Sequence, residues 1–362
     1  MLINIQFLRF AAALLVVLYH ASMHVRATGV DQGAVFAAAE AAGFAGVDIF
    51  FVISGFIMFY TTTGASGARA SMEFLKRRAA RIYSGYWPFF VLAAVVFAWA
   101  RPEHFSEANL WTSFLLWPMP LNRVLLDVSW TLSYEMYFYV LFTALLLFSA
   151  RWRWHLLAGV LLLVTAYAVL NHFVFHRYDP EHYYYNTFEW LFYTAPYLAE
   201  FFAGAVLASF AHRGSEAMGW SLLFWGIVGF AAAGVANTFW YDGKIEQGFH
   251  VVPRVLLFGA PAVMMLWGLV NLEHHGRVAP KRFSLATGGA SYAIYLVHTI
   301  AFVATMKLGI YGWMQGWSTI AVQLSYLVYS ALLVAYGVVH YRTLERWLHG
   351  VFKRALGVKR LA

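Results

Sequence analysis

The stretch that decides the fold is the first one, MLINIQFLRFAAALLVVLYHASMHV, which covers residues 1–25. It is long and apolar enough to cross a bilayer, which takes about 20 residues, yet Arg9 and His20 interrupt it. An ionisable side chain in hydrocarbon is costly unless it finds a partner, so such residues are candidates for function. The sequence MHVRATG offers no small-residue cleavage pattern, which favours a retained helix over a signal peptide.

The composition of the whole chain extends this interpretation from one helix to the entire protein. Of the 362 residues, 62% are hydrophobic and 12% are charged, whereas an average soluble domain carries roughly 25% charged residues. The chain has no cysteine, which excludes disulfides and thiolate catalysis. The sequence therefore predicts an all-α, polytopic integral membrane protein.

A window of about 20 apolar residues predicts about ten transmembrane helices. No linker rich in Pro, Gly or Ser divides the chain, so we expect a single integral-membrane domain over residues 1–362. The predicted helices lie near 5–25, 43–63, 84–100, 126–149, 154–173, 189–210, 217–239, 251–271, 286–306 and 317–341.

The distribution of basic residues predicts the orientation. Most of the 25 Lys and Arg residues, including Lys359 and Arg360 near the C-terminus, fall in loops on the same side as the N-terminus. Because cytoplasmic loops are enriched in Lys and Arg, this pattern predicts that both termini are cytoplasmic. It also explains the net charge of +8 without a nucleic-acid partner.

Arg9 and His20 are eleven positions apart in the first predicted helix. At about 100° per residue this separation is within about 20° of three full turns, and the rise is about 16 Å. The two side chains therefore face the same way, with the cation near the cytoplasmic surface and the imidazole deep in the membrane. A snorkelling arginine and a structural histidine are the alternative for each residue alone. The pair at this spacing indicates a polar column for a long ligand with an anionic head.

Asp48, in GVDIFFVISGFIMFY, is predicted to lie at a depth similar to that of His20 on the neighbouring helix. A carboxylate bonded to one imidazole nitrogen fixes the tautomer and stabilises the imidazolium. We therefore expect Asp48 to orient His20. The alternatives are that Asp48 caps a helix or pairs with an arginine.

The segment FLKRRAARIYSGYW is predicted to be a basic cytoplasmic loop that contains Arg77, Arg78 and Arg81. Arg78 and Arg81 would share a face if the segment were helical. Positive-inside topology alone explains basic character. Phosphate binding becomes attractive because Arg9 reaches the same surface and guanidinium groups match phosphate oxygens.

Two further buried polar positions complete the candidate site. Glu135, in DVSWTLSYEMYFYVLF, is predicted to lie in the fourth helix, where it needs a polar partner. His298, in GGASYAIYLVHTIAF, is predicted at mid-membrane in the ninth helix. Each has a structural alternative, a buried hydrogen-bond network for Glu135 and a core position for His298. The predicted histidines and carboxylates nevertheless share a central depth, as a buried reaction chamber would require.

Five motifs together resemble the integral-membrane acyltransferase family 3, whose members O-acylate extracytoplasmic polysaccharides and related glycans. They are Arg9 and His20, GVDIFFVISGFIM (46–58), the Arg78–Arg81 pair leading into RIYSGYW, SWTLSYEMYFY (129–139) and SYAIYLVH (291–298). One departure is Ser84, where family members commonly have a proline, with Pro88 four residues later. The hydrolase-like domain fused to some relatives is missing, which implies a stand-alone transferase.

The resemblance implies a bacterial inner-membrane O-acyltransferase that uses acyl-CoA, most simply acetyl-CoA, and no metal. Its acceptor would be a sugar hydroxyl of an exopolysaccharide or a lipid-linked oligosaccharide. His20 would act as general base or transient acyl carrier, oriented by Asp48 or Glu135. The implied donor-binding residues are Arg9, Arg77, Arg78 and Arg81, and the implied supporting residues are Ser129, Trp130, Ser133, Tyr134 and His298.

Two other classes of protein explain some of the same residues. A proton-coupled transporter of a small anionic or sugar solute would also place His, Asp and Glu at mid-membrane. The paired basic residues and the lack of an inverted repeat speak against it. A non-catalytic glycan-binding scaffold would bind glycan without acyl transfer.

Overall fold

The computed structural model describes residues 2–358, and in that range the chain forms helices without a β-strand. This confirms the predicted all-α class; Lys359 and Arg360 lie outside the described residues. The helices are α1 Ile3–Ala27, α2 Gly33–Ala42, α3 Gly46–Tyr60, α4 Ala68–Ala100, α5 Pro102–Glu107, α6 Leu110–Leu115, α7 Trp130–Leu145, α8 Ala150–Phe173, α9 Pro180–Tyr183, α10 Phe188–Tyr193, α11 Tyr197–Leu207, α12 Glu216–Trp240, α13 Val251–Arg254, α14 Ala260–His274, α15 Lys281–Lys307, α16 Ile310–Trp313, α17 Thr319–His340 and α18 Arg346–Ala355.

Eight helical segments of the described chain are long and apolar enough to cross a membrane. Three of them join shorter elements, because α2 runs into α3, α13 into α14 and α17 into α18. They are Ile3–Ala27, Gly33–Tyr60, Ala68–Ala100, Ala150–Phe173, Glu216–Trp240, Gly248–His274, Lys281–Lys307 and Thr319–Ala355. The protein is therefore a multi-pass membrane protein.

Contacts at the helix ends show that α7 also runs between the two faces of the molecule, that is, the two ends of the membrane-spanning helices. The end of α7 is joined to the start of α4 by a hydrogen bond of 2.8 Å from the Gly67 amide to the Leu146 carbonyl. The start of α8 lies at the same face, where the Arg153 guanidinium donates to the carbonyl of Thr62 at 3.1 Å. Since α4 leaves this face and α8 begins on it, the chain returns through α7, although α7 has only 16 residues.

A second short return runs through α10 and α11. The Trp154 indole near the start of α8 donates to Ser209, just beyond α11, at 2.7 Å. The predicted single helix over 189–210 is interrupted at Pro196, which supplies no backbone donor and disfavours helical geometry in the preceding residue. Within residues 2–358, α7 and the α10–α11 return thus add two shorter connections between the faces to the eight long segments.

Both ends of the described chain lie at one face. Gly288 packs against the backbone of Gln6 near the start of α1, and the adjacent Gly289 packs against the ring of Tyr341 after α17. An even number of crossings requires this arrangement.

The basic segment predicted as a loop is part of a helix instead. α4 begins at Ala68 and continues through Pro88 to Ala100, so Arg78 and Arg81 lie one turn apart on it. Ser84, where the resemblance led us to consider a shifted helix start, lies in the middle of α4. Because α4 has 33 residues, one continuous helix contains both the basic segment and the part that crosses the membrane.

The centre of the molecule is formed by α1, α3 and α15, with α11 crossing α3 closely. A methyl group added to Gly55 of α3 would lie 1.8 Å from the Phe201 carbonyl oxygen, and one added to Gly204 of α11 would lie 1.9 Å from the Val52 carbonyl oxygen. Small residues at such crossings let helix backbones approach within a membrane. This close packing fixes α3, which carries Asp48, relative to the helices around it.

Candidate active site

The protein contains a small cavity, the inner cavity, near the N-terminal end of α1. Its volume is about 160 Å³, and its charged lining residues are Arg9, Arg78, Arg81 and Glu135. Arg77 is not among the lining residues. α1, α4 and α7 thus bring together three of the four predicted donor-binding arginines and one predicted carboxylate.

The three arginines of the inner cavity have different surroundings. Arg81 forms an ion pair with Glu345, whose side chain is fully buried. Arg78 donates to the Thr61 hydroxyl at 3.1 Å, and Arg9 has a long contact of 3.4 Å with the Gln6 side chain. Glu345 was not a predicted site residue. It is 264 positions from Arg81, and no local pattern connects the two residues.

Glu135 belongs to the arginine-lined cavity and does not orient His20. Its carboxylate accepts a hydrogen bond of 3.2 Å from Ser54 and another from the Tyr139 hydroxyl. Tyr139 is one helical turn further along α7, so the pair follows directly from the spacing in SWTLSYEMYFY.

A larger cavity, the outer cavity, lies toward the other face. Its volume is about 560 Å³, and His20 lines it together with Trp130, Ser133 and Tyr134 of α7. These three α7 residues were predicted as supporting residues. Ser129, another predicted supporting residue, directly precedes α7, is buried and does not line either cavity.

His20 is held by two contacts at one of its ring nitrogens. Its Nδ1 atom lies 2.9 Å from the Val16 carbonyl oxygen and 3.2 Å from Nε2 of His298, which is fully buried. The carbonyl can only accept, so the proton of a neutral His20 belongs on Nδ1. His298 Nε2 then presents its lone pair to that N–H. In this neutral tautomer, Nε2 of His20 carries the ring's free lone pair.

The expected contact between Asp48 and His20 is replaced by an ion pair. Arg254 binds Asp48 with distances of 2.6 Å from Nη2 to Oδ2 and 3.1 Å from Nε to Oδ1. Both side chains are buried, and burial of a carboxylate in hydrocarbon strongly favours a paired cation. The prediction that Asp48 orients His20 is therefore wrong, and its arginine-pairing alternative is correct.

The two cavities share a wall formed by Val47 and Tyr295, which line both. The Tyr295 hydroxyl lies 3.1 Å from Thr131 Oγ1 and donates to the Val128 carbonyl at 3.0 Å, so the ring is fixed. One face of α7 lines the inner cavity and the adjacent face lines the outer one. A ligand that reaches from the arginines to His20 passes this shared wall.

Two carboxyl groups outside the membrane-spanning helices also line the outer cavity. Burial raises the pKa of Asp127, against the opposing influence of His104 and Arg101. Burial likewise raises the pKa of Glu246. Within residues 2–358, no group of three or more Asp, Glu or His side chains is placed to hold a metal ion.

A family model described as an acyltransferase domain matches residues 2–339. The chain belongs to acyltransferase family 3. It is also 32% identical over 285 residues to the exopolysaccharide production protein ExoZ of Rhizobium meliloti (strain 1021). The match covers 74% of this chain and 79% of that protein. No solved structure matches the chain.

Membership in this family makes the protein a membrane acyltransferase. The resemblance drawn from the five sequence motifs is confirmed by a match over nearly the whole chain. Family membership thus favours acyl transfer over the transporter and scaffold alternatives.

Proposed function

We propose that this acyltransferase moves an acetyl group from cytoplasmic acetyl-CoA to a sugar hydroxyl of an exopolysaccharide or its lipid-linked oligosaccharide repeat. The enzyme would lie in the bacterial inner membrane, with residues 1–362 as one domain. The observation that carries the proposal is the adjacency of an arginine-lined cavity to a second cavity that contains His20, whose Nδ1 lies beside the Val16 carbonyl. The name of the similar Rhizobium protein supports a polysaccharide acceptor.

Charge supports the inner cavity as the donor site. Three guanidinium groups and the carboxylates of Glu135 and Glu345 leave a net positive balance around it. Guanidinium groups bind phosphate oxygens through paired, charge-assisted hydrogen bonds. Because Arg81 is already paired with Glu345, Arg9 and Arg78 are the principal ligands for the phosphates of CoA in this proposal.

The outer cavity supports a general-base role for His20. Nε2 of His20 would take the proton of the acceptor hydroxyl while that oxygen attacks the thioester carbonyl. The tetrahedral intermediate would then collapse, break the carbon–sulfur bond and release CoA thiolate, which receives the proton from His20. Proton transfer of this kind typically contributes about 10² to 10⁴ in rate.

A transient acyl-imidazole on His20 is the other route to the same product. The two routes differ when no acceptor is present. A carrier histidine would release one equivalent of CoA per enzyme in a burst, whereas a general base would give no burst. Rapid-mixing measurement of free CoA distinguishes them.

The proposed function is tested by the acetylation of the host's surface polysaccharide. We expect deletion of the gene to remove O-acetyl groups from that polysaccharide, measured by NMR of the purified glycan. The wild-type gene should restore them, and a His20→Ala variant expressed to the same level in the membrane should not. An unchanged glycan after deletion would contradict the polysaccharide acceptor.

A further inference from the structure

The outer cavity contains charged side chains that the proposed chemistry does not use. Arg254 and Glu246 both line it, and Asp48 lies behind Arg254. The sequence places Arg254 near the start of the predicted helix over 251–271 and singles it out for no role. In the structure its side chain is almost fully buried, so its role is not limited to setting the orientation of the chain in the membrane.

Arg254 lines the outer cavity, and one nitrogen of its guanidinium is not used in its contacts with the protein. Its Nε and Nη2 atoms donate to Asp48, and its carbon centre lies 5.1 Å from the ring of Phe44 and 5.3 Å from the ring of Tyr197. Nη1 makes no hydrogen bond to any residue in the described range, 2–358. Since the rest of the group is fixed on three sides, the N–H groups of Nη1 are available to a ligand in the outer cavity.

The backbone around Arg254 explains how this position arises. Arg254 ends α13, and a π-helical turn over Val255–Gly259 separates α13 from α14. Pro261 follows at the start of α14, where it cannot donate to a preceding carbonyl. Single π-helical turns interrupt α-helices frequently at functional sites.

Glu246 lies on a short loop that is anchored by a side chain of α12. The buried Asn237 side chain donates to the Ala41 carbonyl at 2.9 Å and accepts from the Ile245 amide at 3.0 Å. This holds the loop next to Glu246 in place. The Oε2 atom of Glu246 is buried and has no hydrogen-bond partner in the protein.

The charge balance of this end of the cavity decides which ligand fits. One cation, Arg254, lies near the acidic side chains of Asp48, Glu200 and Glu246, so the group carries no excess positive charge. An acidic sugar would meet several acidic side chains and a single cation whose charge Asp48 already balances, which disfavours a uronate. A neutral sugar hydroxyl instead donates to a carboxylate and accepts from a guanidinium. The aromatic rings of Trp130 and Tyr134 in the same cavity suit the apolar face of a pyranose.

We propose that Arg254 Nη1 and Glu246 form a subsite that binds hydroxyl groups of a neutral sugar residue in the acceptor and discriminates against uronates. Asp48 acts here as a positioning residue because it holds Arg254 in place. This inference rests on the proposed function, since it assigns the outer cavity to the acceptor.

Binding of two defined trisaccharides tests the proposal. The full-length protein in lipid nanodiscs, without acyl-CoA, is titrated with maltotriose and with trigalacturonate by isothermal calorimetry. We expect trigalacturonate to bind at least about tenfold more weakly than maltotriose. Glu246→Ala should weaken maltotriose binding about tenfold, the loss expected for one charge-assisted hydrogen bond.

Two further variants separate recognition from folding. Glu246→Gln removes the negative charge and should narrow the preference for maltotriose over trigalacturonate, a change that loss of packing would not produce. Glu216→Gln is the control, because it breaks an exposed ion pair with Arg277 and neither residue lines the outer cavity. It should leave the affinities for maltotriose and trigalacturonate unchanged. Arg254→Lys keeps the positive charge but loses the planar guanidinium, which binds Asp48 and a ligand at the same time. It should therefore weaken maltotriose binding.

The outcomes distinguish this inference from the proposed function. Equal or tighter binding of trigalacturonate, no binding of maltotriose, or unchanged affinities in Glu246→Ala would overturn the neutral-sugar subsite. Transfer of radiolabelled acetyl from acetyl-CoA to glycan, assayed on the same preparation, tests the function separately. Transfer combined with any of those binding results would leave the function standing and remove the subsite.

Discussion

At the scale of single residues, the protonation of His20 follows from its neighbours. Val16 and His298 both contact Nδ1, so Nε2 is the nitrogen left for chemistry. His298 contacts the ring of His20 without lining either cavity, which makes it a positioning residue in the proposed mechanism. The effect of His298 on acyl transfer should therefore depend on whether its side chain can accept a hydrogen bond from the Nδ1–H group of His20.

Removal of His298 should lower the rate of transfer and leave donor affinity unchanged. We expect His298→Ala to reduce kcat by about tenfold, the cost of one lost charge-assisted hydrogen bond to a reacting imidazole. His298→Gln, whose amide oxygen can accept the same bond, should retain more activity. Equal losses in the two variants would indicate a packing role, and an unchanged kcat in both would exclude positioning by His298.

The arginines should differ in their effect on the acyl donor. Arg78→Ala should raise the KM for acetyl-CoA about tenfold or more, because it removes a charge-assisted contact to phosphate. Arg77 is adjacent in sequence but does not line the inner cavity, so Arg77→Ala serves as the matched control. Steady-state kinetics at saturating acceptor measures both. Equal KM values for the two variants would contradict the assignment of the inner cavity to the donor.

The sequence could predict Arg9 and His20 but not the partners of the site's buried charges. The column in α1 depends only on helical geometry over eleven residues. The Asp48–Arg254 contact joins residues 206 positions apart, and the Arg81–Glu345 contact joins residues 264 positions apart. A local pattern cannot choose among distant cations, so the sequence alone favours His20, the nearest titratable neighbour at similar depth, as the partner of Asp48.

At the scale of elements, α7 contributes to both cavities. Thr131, Glu135 and Tyr139 repeat every four residues on the face toward the inner cavity, whereas Trp130, Ser133 and Tyr134 face the outer one. A single helix thus separates the region proposed for the donor from that proposed for the acceptor.

Substitutions on the two faces of α7 should affect different substrates. Glu135→Gln should change the KM for acetyl-CoA and leave that for the glycan acceptor unchanged. Trp130→Ala should raise the acceptor KM several-fold, through loss of aromatic contact area in the outer cavity, with donor KM unchanged. Two-substrate kinetics on the purified variants measures this separation. Parallel changes in both constants for both variants would show that α7 does not divide the cavities functionally.

The crossing of α3 and α11 should be intolerant of even one methyl group. A methyl on Gly204 would lie 1.9 Å from the Val52 carbonyl oxygen, so the two helices would have to move apart. We expect Gly204→Ala to destabilise the protein by about 1–3 kcal/mol, the usual range for overpacking. Gly159→Ala on α8, where an added methyl meets no atom within 4 Å, is the control. Thermal unfolding in detergent compares the two, and equal stability would contradict the tight crossing.

At the scale of the whole molecule, the eight long segments and the two shorter returns of residues 2–358 place both described ends on one side. Hydropathy predicted the long helices because each contains an apolar run of bilayer length. It could not predict that α7 and α11 are short or that α4 carries the basic segment. Those features arise from packing against neighbouring helices. The result is a helical bundle in which the two cavities meet at Val47 and Tyr295, near its centre.

The central claim is that His20 transfers the proton in acyl transfer between the two cavities. The most direct measurement is transfer of radiolabelled acetyl from acetyl-CoA to glycan by purified protein in nanodiscs, comparing wild type with His20→Ala. We predict that the variant loses at least about 100-fold in rate, within the range of general-base catalysis, while its affinity for acetyl-CoA stays unchanged. Full transfer activity in a folded His20→Ala protein would contradict the account.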